Sequence, residues 1–230
     1  MTSKKKGEPQ YEHTINLMRV REQRLGLSSG WAWYDDPKRL VFSLSRYKFV
    51  AQLFRGRRRV LEAGCGDGFY SRIVRQAVDH MSAIDFDSSY IESARSLVDD
   101  RWPIEFAVHD LLEGPVPGTF DAVFSLDVLE HIPGHDEHRF TTNLVAPLEQ
   151  FGVVIIGCPS LESQAYASKQ SAAGHVNCKS QDDLRAFMLN YFHTVFMFSM
   201  NDEVVHTGFG KMSHYNIALC CEKRTGSSIL

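Results

Sequence analysis

The chain has few of the features that would place it in a secreted, membrane-spanning or nucleic-acid-binding class. It has five cysteines in 230 residues: Cys65, Cys158, Cys178, Cys220 and Cys221. The number is odd and no two are spaced C-x-x-C, which argues against a disulfide scaffold and against a zinc cluster. Several lie in apolar, strand-like runs, where a free thiol behaves as a small hydrophobe. The segment from Met1 to Glu12 carries lysines but no apolar core of a signal peptide, and no apolar run is long enough to span a bilayer. Nor is there a large excess of charge of either sign, with 25 lysines and arginines against 28 acids. The formal net charge is −3 and the isoelectric point is near 6.4, without the basic footprint of a dedicated nucleic-acid binder. Arg55-Gly56-Arg57-Arg58-Arg59 is a local exception, read as a solvated loop before a strand. The expectation is a cytoplasmic protein with neither a nucleic-acid nor a membrane partner, its oligomeric state left open.

There is no internal repeat and no long linker. With 43% hydrophobic and 23% charged residues, the chain suits one α/β domain. Its most informative stretch is Val60-Leu61-Glu62-Ala63-Gly64-Cys65-Gly66-Asp67-Gly68-Phe69-Tyr70-Ser71, which reads as a buried strand, a tight turn and the start of a helix. Glycines at alternate positions let the backbone turn with positive φ and leave no Cβ in the way of a ligand. The following helix aims its free N–H groups at that ligand and favours an anionic group such as an amino-acid carboxylate.

Apolar patterning predicts strands at residues 60–63, 81–84, 104–108, 122–125 and 153–157, and two late ones at 195–200 and 215–221. Helices are predicted at 12–25, 37–54, 70–78, 89–97, 138–150 and 181–189. Gly26 to Gly30 reads as a break, and Asp36-Pro37 as a helix start with a stripe of Leu40, Val41, Leu44, Tyr47 and Val50 behind it. Alternation of this kind implies a doubly wound parallel sheet with ligands at the carboxyl ends of its strands.

Four motifs sit at those ends. The turn has the form E-x-G-x-G-x-G, with Phe69 where a dinucleotide-binding G-x-G-x-x-G would place its third glycine. Asp85 closes the second strand about 20 residues on, the place of an acid that accepts ribose hydroxyls. Val108-His109-Asp110-Leu111 closes the third strand, and Phe120 to Asp127 runs into Val128-Leu129-Glu130-His131-Ile132 after the fourth. In this order and spacing, residues 60–132 resemble the class I S-adenosylmethionine (SAM) dependent methyltransferases, and the D-x-L-E-H element is similar to the ubiquinone-pathway O-methyltransferases. The resemblance implies a Rossmann-like, doubly wound seven-stranded sheet with N-terminal helices and an antiparallel C-terminal strand. It divides the chain into a polar tail and helix (1–30), the methyltransferase domain (31–225) and a short tail (226–230).

The resemblance also implies a cofactor set of Glu62, Gly64, Cys65, Gly66, Asp85, Phe86, Asp110, Leu111 and Leu126. In it Asp110 meets the adenine amino group, Phe86 is a candidate to stack on adenine, and Arg46 is a candidate to grip the methionine carboxylate through a bidentate guanidinium. The implied activity is methyl transfer from SAM to a hydroxyl of a small polar acceptor, such as a sugar or nucleotide sugar. Alternatives are an amine acceptor, a non-catalytic SAM-binding protein, or an NAD-dependent oxidoreductase, the last disfavoured by Phe69. A hydroxyl acceptor needs a base. The candidates are His175, His206 in the polar window from Met200 to Phe209, and His131. Trp31, Trp33 and Tyr34 are candidates for a lid. Asp127-x-x-Glu130-His131 would also put two carboxylates and an imidazole on one helical face, suited to Mg²⁺ or a transition metal. This resembles the E-x-x-E-H site of plant small-RNA 2′-O-methyltransferases, with His175 as the later histidine and Asp in place of the first Glu. A divalent metal is thus a second candidate cofactor.

Overall fold

The computed structural model describes residues 8–225; the tail expectations at 1–7 and 226–230 lie outside the described residues. In chain order the helices are α1 (Glu12–Val20), α2 (Leu27–Asp35), α3 (Lys38–Leu53), α4 (Ser71–Arg75), α5 (Ser88–Ser96), α6 (Glu137–Val145), α7 (Lys169–Gly174) and α8 (Gln181–Met188). The strands are β1 (Arg59–Ala63), β2 (His80–Asp85), β3 (Glu105–Val108), β4 (Phe120–Leu126), β5 (Leu148–Pro159), β6 (Phe192–Asn201), β7 (Val204–His206) and β8 (Tyr215–Lys223). They form one sheet in the order β3-β2-β1-β4-β5-β8-β6-β7. The strands from β1 to β5 pair in parallel, and β8, β6 and β7 pair antiparallel. Strand order reverses between β1 and β4, which opens the crevice where an α/β sheet takes its ligand.

Alternate residues of the central strands serve opposite faces. Leu61 and Val123 pack with Phe140, Leu144, Leu184 and Met188 on one side, whereas Val60, Ala122 and Phe124 pack with Tyr47, Val50 and Phe54 of α3 on the other. All seven residues of β4 are buried, as a strand covered on both faces requires.

The sheet has eight strands rather than the seven implied by the resemblance. The extra one is β7, three residues that pair with the end of β6 across Asp202-Glu203. Asp202 takes a φ of 49°, a conformation that aspartate tolerates in turns. The polar window that read as a loop is therefore partly a hairpin. The helix expected over 138–150 stops at Val145, and Leu148 already belongs to β5. Pro147 is the reason: Ala146 still has helical angles and gives its N–H to Thr142 O, but proline has no N–H with which to continue the ladder.

Gly26 to Gly30 is not a break. Gly26 precedes α2, and its N–H donates to Ser29 Oγ at 2.8 Å. The boundary expected at residue 30 falls inside this helix. The helix expected over 12–25 ends at Val20 and has no buried residue, so Ile15, Met18 and Val20 face solvent. In α3, Asp36 accepts from Lys38 N at 3.2 Å and Leu40, Tyr47 and Val50 are buried, but Val41 of the expected stripe is exposed. No helix among the described residues is long and apolar enough to cross a membrane.

Candidate active site

A cavity of about 690 Å³ opens at the strand-order reversal, within the usual range for a small-ligand site. Its floor is the glycine turn after β1. Gly64 and Cys65 donate their N–H groups to Ile84 O at 2.8 and 3.0 Å, which ties the turn to β2. Gly64 has φ of 80°, and a Cβ there would collide with Val128; Gly66 has φ of 52° with only Ser28 Oγ near, 3.6 Å from where a Cβ would stand. The space over the turn is therefore kept free by glycine at both positions.

Asp85 ends β2 beside this turn. One carboxylate oxygen accepts from Gly66 N at 2.9 Å and the other from Asp87 N at 3.0 Å, which fixes its orientation while each oxygen keeps a lone pair for a ligand. Phe86 is 74% exposed and lines the cavity, an unburied ring for a planar partner. Asp87 caps α5 by accepting from Ser89 N at 2.8 Å, as its position before the helix predicts. Asp110, Leu111 and Leu126 line the wall, and Asp110 Oδ1 accepts from Leu112 N at 2.8 Å.

Two expected contacts sit elsewhere. Glu62 is only 1% exposed, beneath the turn and off the cavity wall, where Tyr47 OH donates to its Oε1 at 2.6 Å. Burial raises its pKa to about 7. Arg46 does not reach the cavity either. Its Nη1 donates to both oxygens of Asp127, at 2.8 and 2.9 Å, and its guanidinium stacks 3.8 Å above the Tyr215 ring. Asp127 lies on the wall with φ of 57°, its N–H shared between Gly157 O and the Tyr215 hydroxyl. A non-glycine residue held at positive φ is a backbone outlier of the kind that clusters at functional sites.

At one edge of the cavity the chain assembles Glu130, His131 and His175. Leu129–His131 is a short 3₁₀ turn rather than an α-helical one, so Asp127 points to Arg46 and not to Glu130 and His131. The loop after α7 is stitched to this turn: Val176 N and Asn177 N donate to Glu130 O at 2.8 and 3.0 Å, and His131 Nδ1 bonds Gly174 O at 2.8 Å. A carbonyl can only accept, so His131 carries a proton on Nδ1, and in the neutral ring Nε2 is the atom with the lone pair. His175 Nδ1 is bonded to Gln164 Oε1 at 2.9 Å, and the two rings stand 5.3 Å apart. His131 is on the cavity wall and His175 lies behind it. Burial, and then His131, lower the pKa of His175 and favour its neutral form. Glu130 is 1% exposed, and burial followed by the charge of Asp127 pushes its carboxyl well above the usual carboxylate range.

His206 is not part of this group. It lies on β7 with Nε2 bonded to Asn201 Oδ1 at 3.1 Å and Nδ1 accepting from Gly208 N at 2.9 Å, so both nitrogens serve the local turn.

A methyltransferase domain family matches residues 60–152. A probable SAM-dependent methyltransferase of Mycobacterium tuberculosis is 30% identical over 105 residues, 45% of this chain and 36% of that protein. The mitochondrial ubiquinone biosynthesis O-methyltransferase of Schizosaccharomyces pombe is 28% identical over 181 residues, 73% of this chain and 64% of that one. The N-methyltransferase NodS of Bradyrhizobium japonicum, solved with S-adenosylhomocysteine (SAH), superposes with a TM-score of 0.63 at 15% identity, covering 91% of this chain and 97% of that one. The family match and these relatives support a class I SAM-dependent methyltransferase domain over residues 60–152, and the likeness to NodS supports the fold. It spans about a third of the length of the Mycobacterium relative.

SAM is the cofactor of SAM-dependent methyltransferases, and the cavity has the size and lining to take it. The Cβ-free floor, the lone pairs of Asp85, the Asp110 carboxylate and the bare Phe86 ring all line this one cavity. The sequence reading missed Ser28, Tyr47, Tyr70 and Tyr90, all on the wall. For Ser28 a signal was present: Gly26-Leu27-Ser28-Ser29 has a serine three residues after a glycine at a helix start.

Proposed function

We propose that this methyltransferase transfers a methyl group from SAM to a hydroxyl of a small polar acceptor, such as a sugar, a nucleotide sugar or a related metabolite. The observation that carries the reading is the pair of imidazoles: His131 on the cavity wall with a free Nε2 lone pair, and His175 packed against it. Bound SAM supplies a methyl on a sulfonium that leaves with its electrons on sulfur. The chain aligns the acceptor with that methyl, an effect worth up to about 7–11 kcal/mol in the best oriented systems. It also takes the hydroxyl proton, at His131 Nε2 or through His175. The Schizosaccharomyces relative is an O-methyltransferase, which supports a hydroxyl acceptor. The likeness to NodS concerns the fold alone.

The test is transfer of labelled methyl to a panel of sugars and nucleotide sugars, set against the matching amino sugars. His175→Ala should lower turnover on the hydroxyl panel by about 10²-fold or more and leave SAH affinity unchanged. Transfer to amines alone, indifferent to His175, would refute the hydroxyl reading.

A second reading adds a divalent cation. One ligand atom from each of Glu130, His131 and His175 lies within 4.8 Å of the others. Glu130 Oε2 is buried without a hydrogen-bond partner, and each imidazole has one nitrogen left over, so the donor set fits a borderline or hard cation. These three side chains would hold it, and it would supply Lewis-acid polarisation of an acceptor hydroxyl. Asp127, expected in the set, is committed to Arg46. Titrating Mg²⁺ and then Mn²⁺ into metal-stripped, SAH-saturated protein tests this reading. Binding heat that disappears in Glu130→Ala supports it, and absence of binding leaves the base mechanism alone.

A further inference from the structure

Asp67 is the one acid of the glycine turn to which no role has yet been given, and it is 1% exposed. Its Oδ2 accepts from both the N–H and the hydroxyl of Ser29, at 2.7 and 2.8 Å. Its Oδ1 accepts from Phe69 N at 3.1 Å. Ser29 is fully buried, and its hydroxyl oxygen in turn accepts from Gly26 N at 2.8 Å. A Cβ at Gly26 would run into the Asp67 carboxylate, so glycine at that position is a condition of the contact. Leu27 N donates to Ser93 Oγ of α5 at 3.1 Å, a second tie for the same helical turn. No cation is paired with Asp67 among the described ion pairs. A buried carboxylate without a counter-charge is costly, and here three hydrogen bonds and the positive end of α2 offset that cost.

The result is geometric. The first turn of α2 is clamped over the glycine turn, and Ser28, next to the clamped residue, forms cavity wall facing Gly66. We propose that Asp67 is a positioning residue of the methyl-donor pocket, holding α2 against the glycine turn so that Ser28 closes the pocket over Gly66. The proposal rests on the assignment of this cavity to SAM. It makes α2, which carries the exposed Trp31, Trp33 and Tyr34, a structural part of the donor site rather than a detached lid. It also divides the work within the turn: Gly64 and Gly66 keep space free, Asp85 faces the ligand, and Asp67 faces away and holds the opposite wall.

The two oxygens of Asp67 have separate tasks, which gives graded variants. Asp67→Asn can accept on one side only, so it satisfies either Ser29 or Phe69. Asp67→Ala satisfies neither, and Ser29→Ala removes the hydroxyl while keeping the helix and its N–H. The experiment is calorimetric titration of SAH into the native chain and these variants, with amide hydrogen exchange over residues 27–35. Loss of charge-assisted hydrogen bonds in Asp67→Ala should weaken SAH binding about tenfold, with Asp67→Asn in between. Ser29→Ala should weaken it less, and the double variant Asp67→Ala/Ser29→Ala should be no worse than Asp67→Ala alone, because both act through one contact. Exchange over 27–35 should rise in the free variants and fall again with saturating SAH, a ligand-dependent recovery that a purely structural role would not produce. SAH affinity within about twofold of native in both single alanine variants would overturn the proposal. If Asp67→Ala fails to fold, Ser29→Ala decides by the same criterion. A native chain that binds no SAH would instead refute the assignment of the cavity itself.

Discussion

Glu62→Gln separates support of the cofactor turn from contact with the cofactor. Glu62 has no counter-charge against it; Tyr47 donates to Oε1, and Oε2 has no partner. Burial, with the charges of Asp85 and Asp67, raises its pKa from 4.5 to about 7. The native state therefore holds a proton that the unfolded chain releases above 4.5, and folding takes up a proton between these values. Stability contributed by this residue is complete at acid pH, falls as pH rises from 4.5 to about 7, and is flat beyond. At about 1.4 kcal/mol per pH unit, the loss between about pH 5 and pH 8 is about 2–3 kcal/mol. Glutamine keeps the acceptor for Tyr47 and cannot ionise. Its unpartnered amide will cost about 1–3 kcal/mol at every pH, so the absolute stability of the variant is not diagnostic. The difference between variant and native is, because every other titrating group cancels in it. Urea unfolding at both pH values should show the variant gaining about 1 M in midpoint relative to native on going from acid to alkaline pH. A difference that stays constant across that range would show that Glu62 is ionised in the fold.

The remaining predictions concern neighbouring groups. Gly64→Ala should lose the fold or SAH binding outright, since its Cβ meets Val128 at φ of 80°, whereas Gly66→Ala has room and should cost only about 1–2 kcal/mol of backbone strain plus a weaker SAH affinity. Thermal unfolding and SAH calorimetry on the pair check this, and equal defects would refute the distinction. Arg46→Ala should destabilise the fold by about 3 kcal/mol, near the low end for a broken buried pair because Asp127 is partly exposed. A variant of native stability that has lost only SAH affinity would restore Arg46 as a carboxylate ligand.

Much of the cofactor wall was legible in the sequence because its determinants are local. Three alternate glycines after an apolar run can only be a tight turn, and the strand ends at Asp85, Asp110 and Leu126 follow from the alternation of strands and helices. Period and punctuation carried these readings, and β1, β2, β4 and the buried Leu40, Tyr47 and Val50 of α3 appear where they were expected. Failures came where one local cue concealed another. Pro147 inside an apolar periodic stretch marks the helix end that the stripe obscured, and two glycines around Leu27-Ser28-Ser29 look like a loop although the first precedes a helix.

What the sequence by itself determined is the turn, the alternation of strands and helices and the resemblance to SAM-dependent methyltransferases. The tertiary structure alone decided which charged side chains are free to act. Arg46, Glu62, Asp67 and Asp127 are all charged residues in or flanking the motifs, yet two of them are consumed in one ion pair, one is buried beneath the floor and one clamps a helix. Nothing in their spacing reveals this, because a partner 81 residues away, as for Arg46 and Asp127, is set by how α3 crosses the end of β4. The same holds for His131 and His175, which meet only because a loop after α7 hangs its N–H groups on Glu130 O. Local sequence sets backbone geometry through sterics, whereas the pairing of charges and imidazoles depends on long-range packing that brings distant segments together.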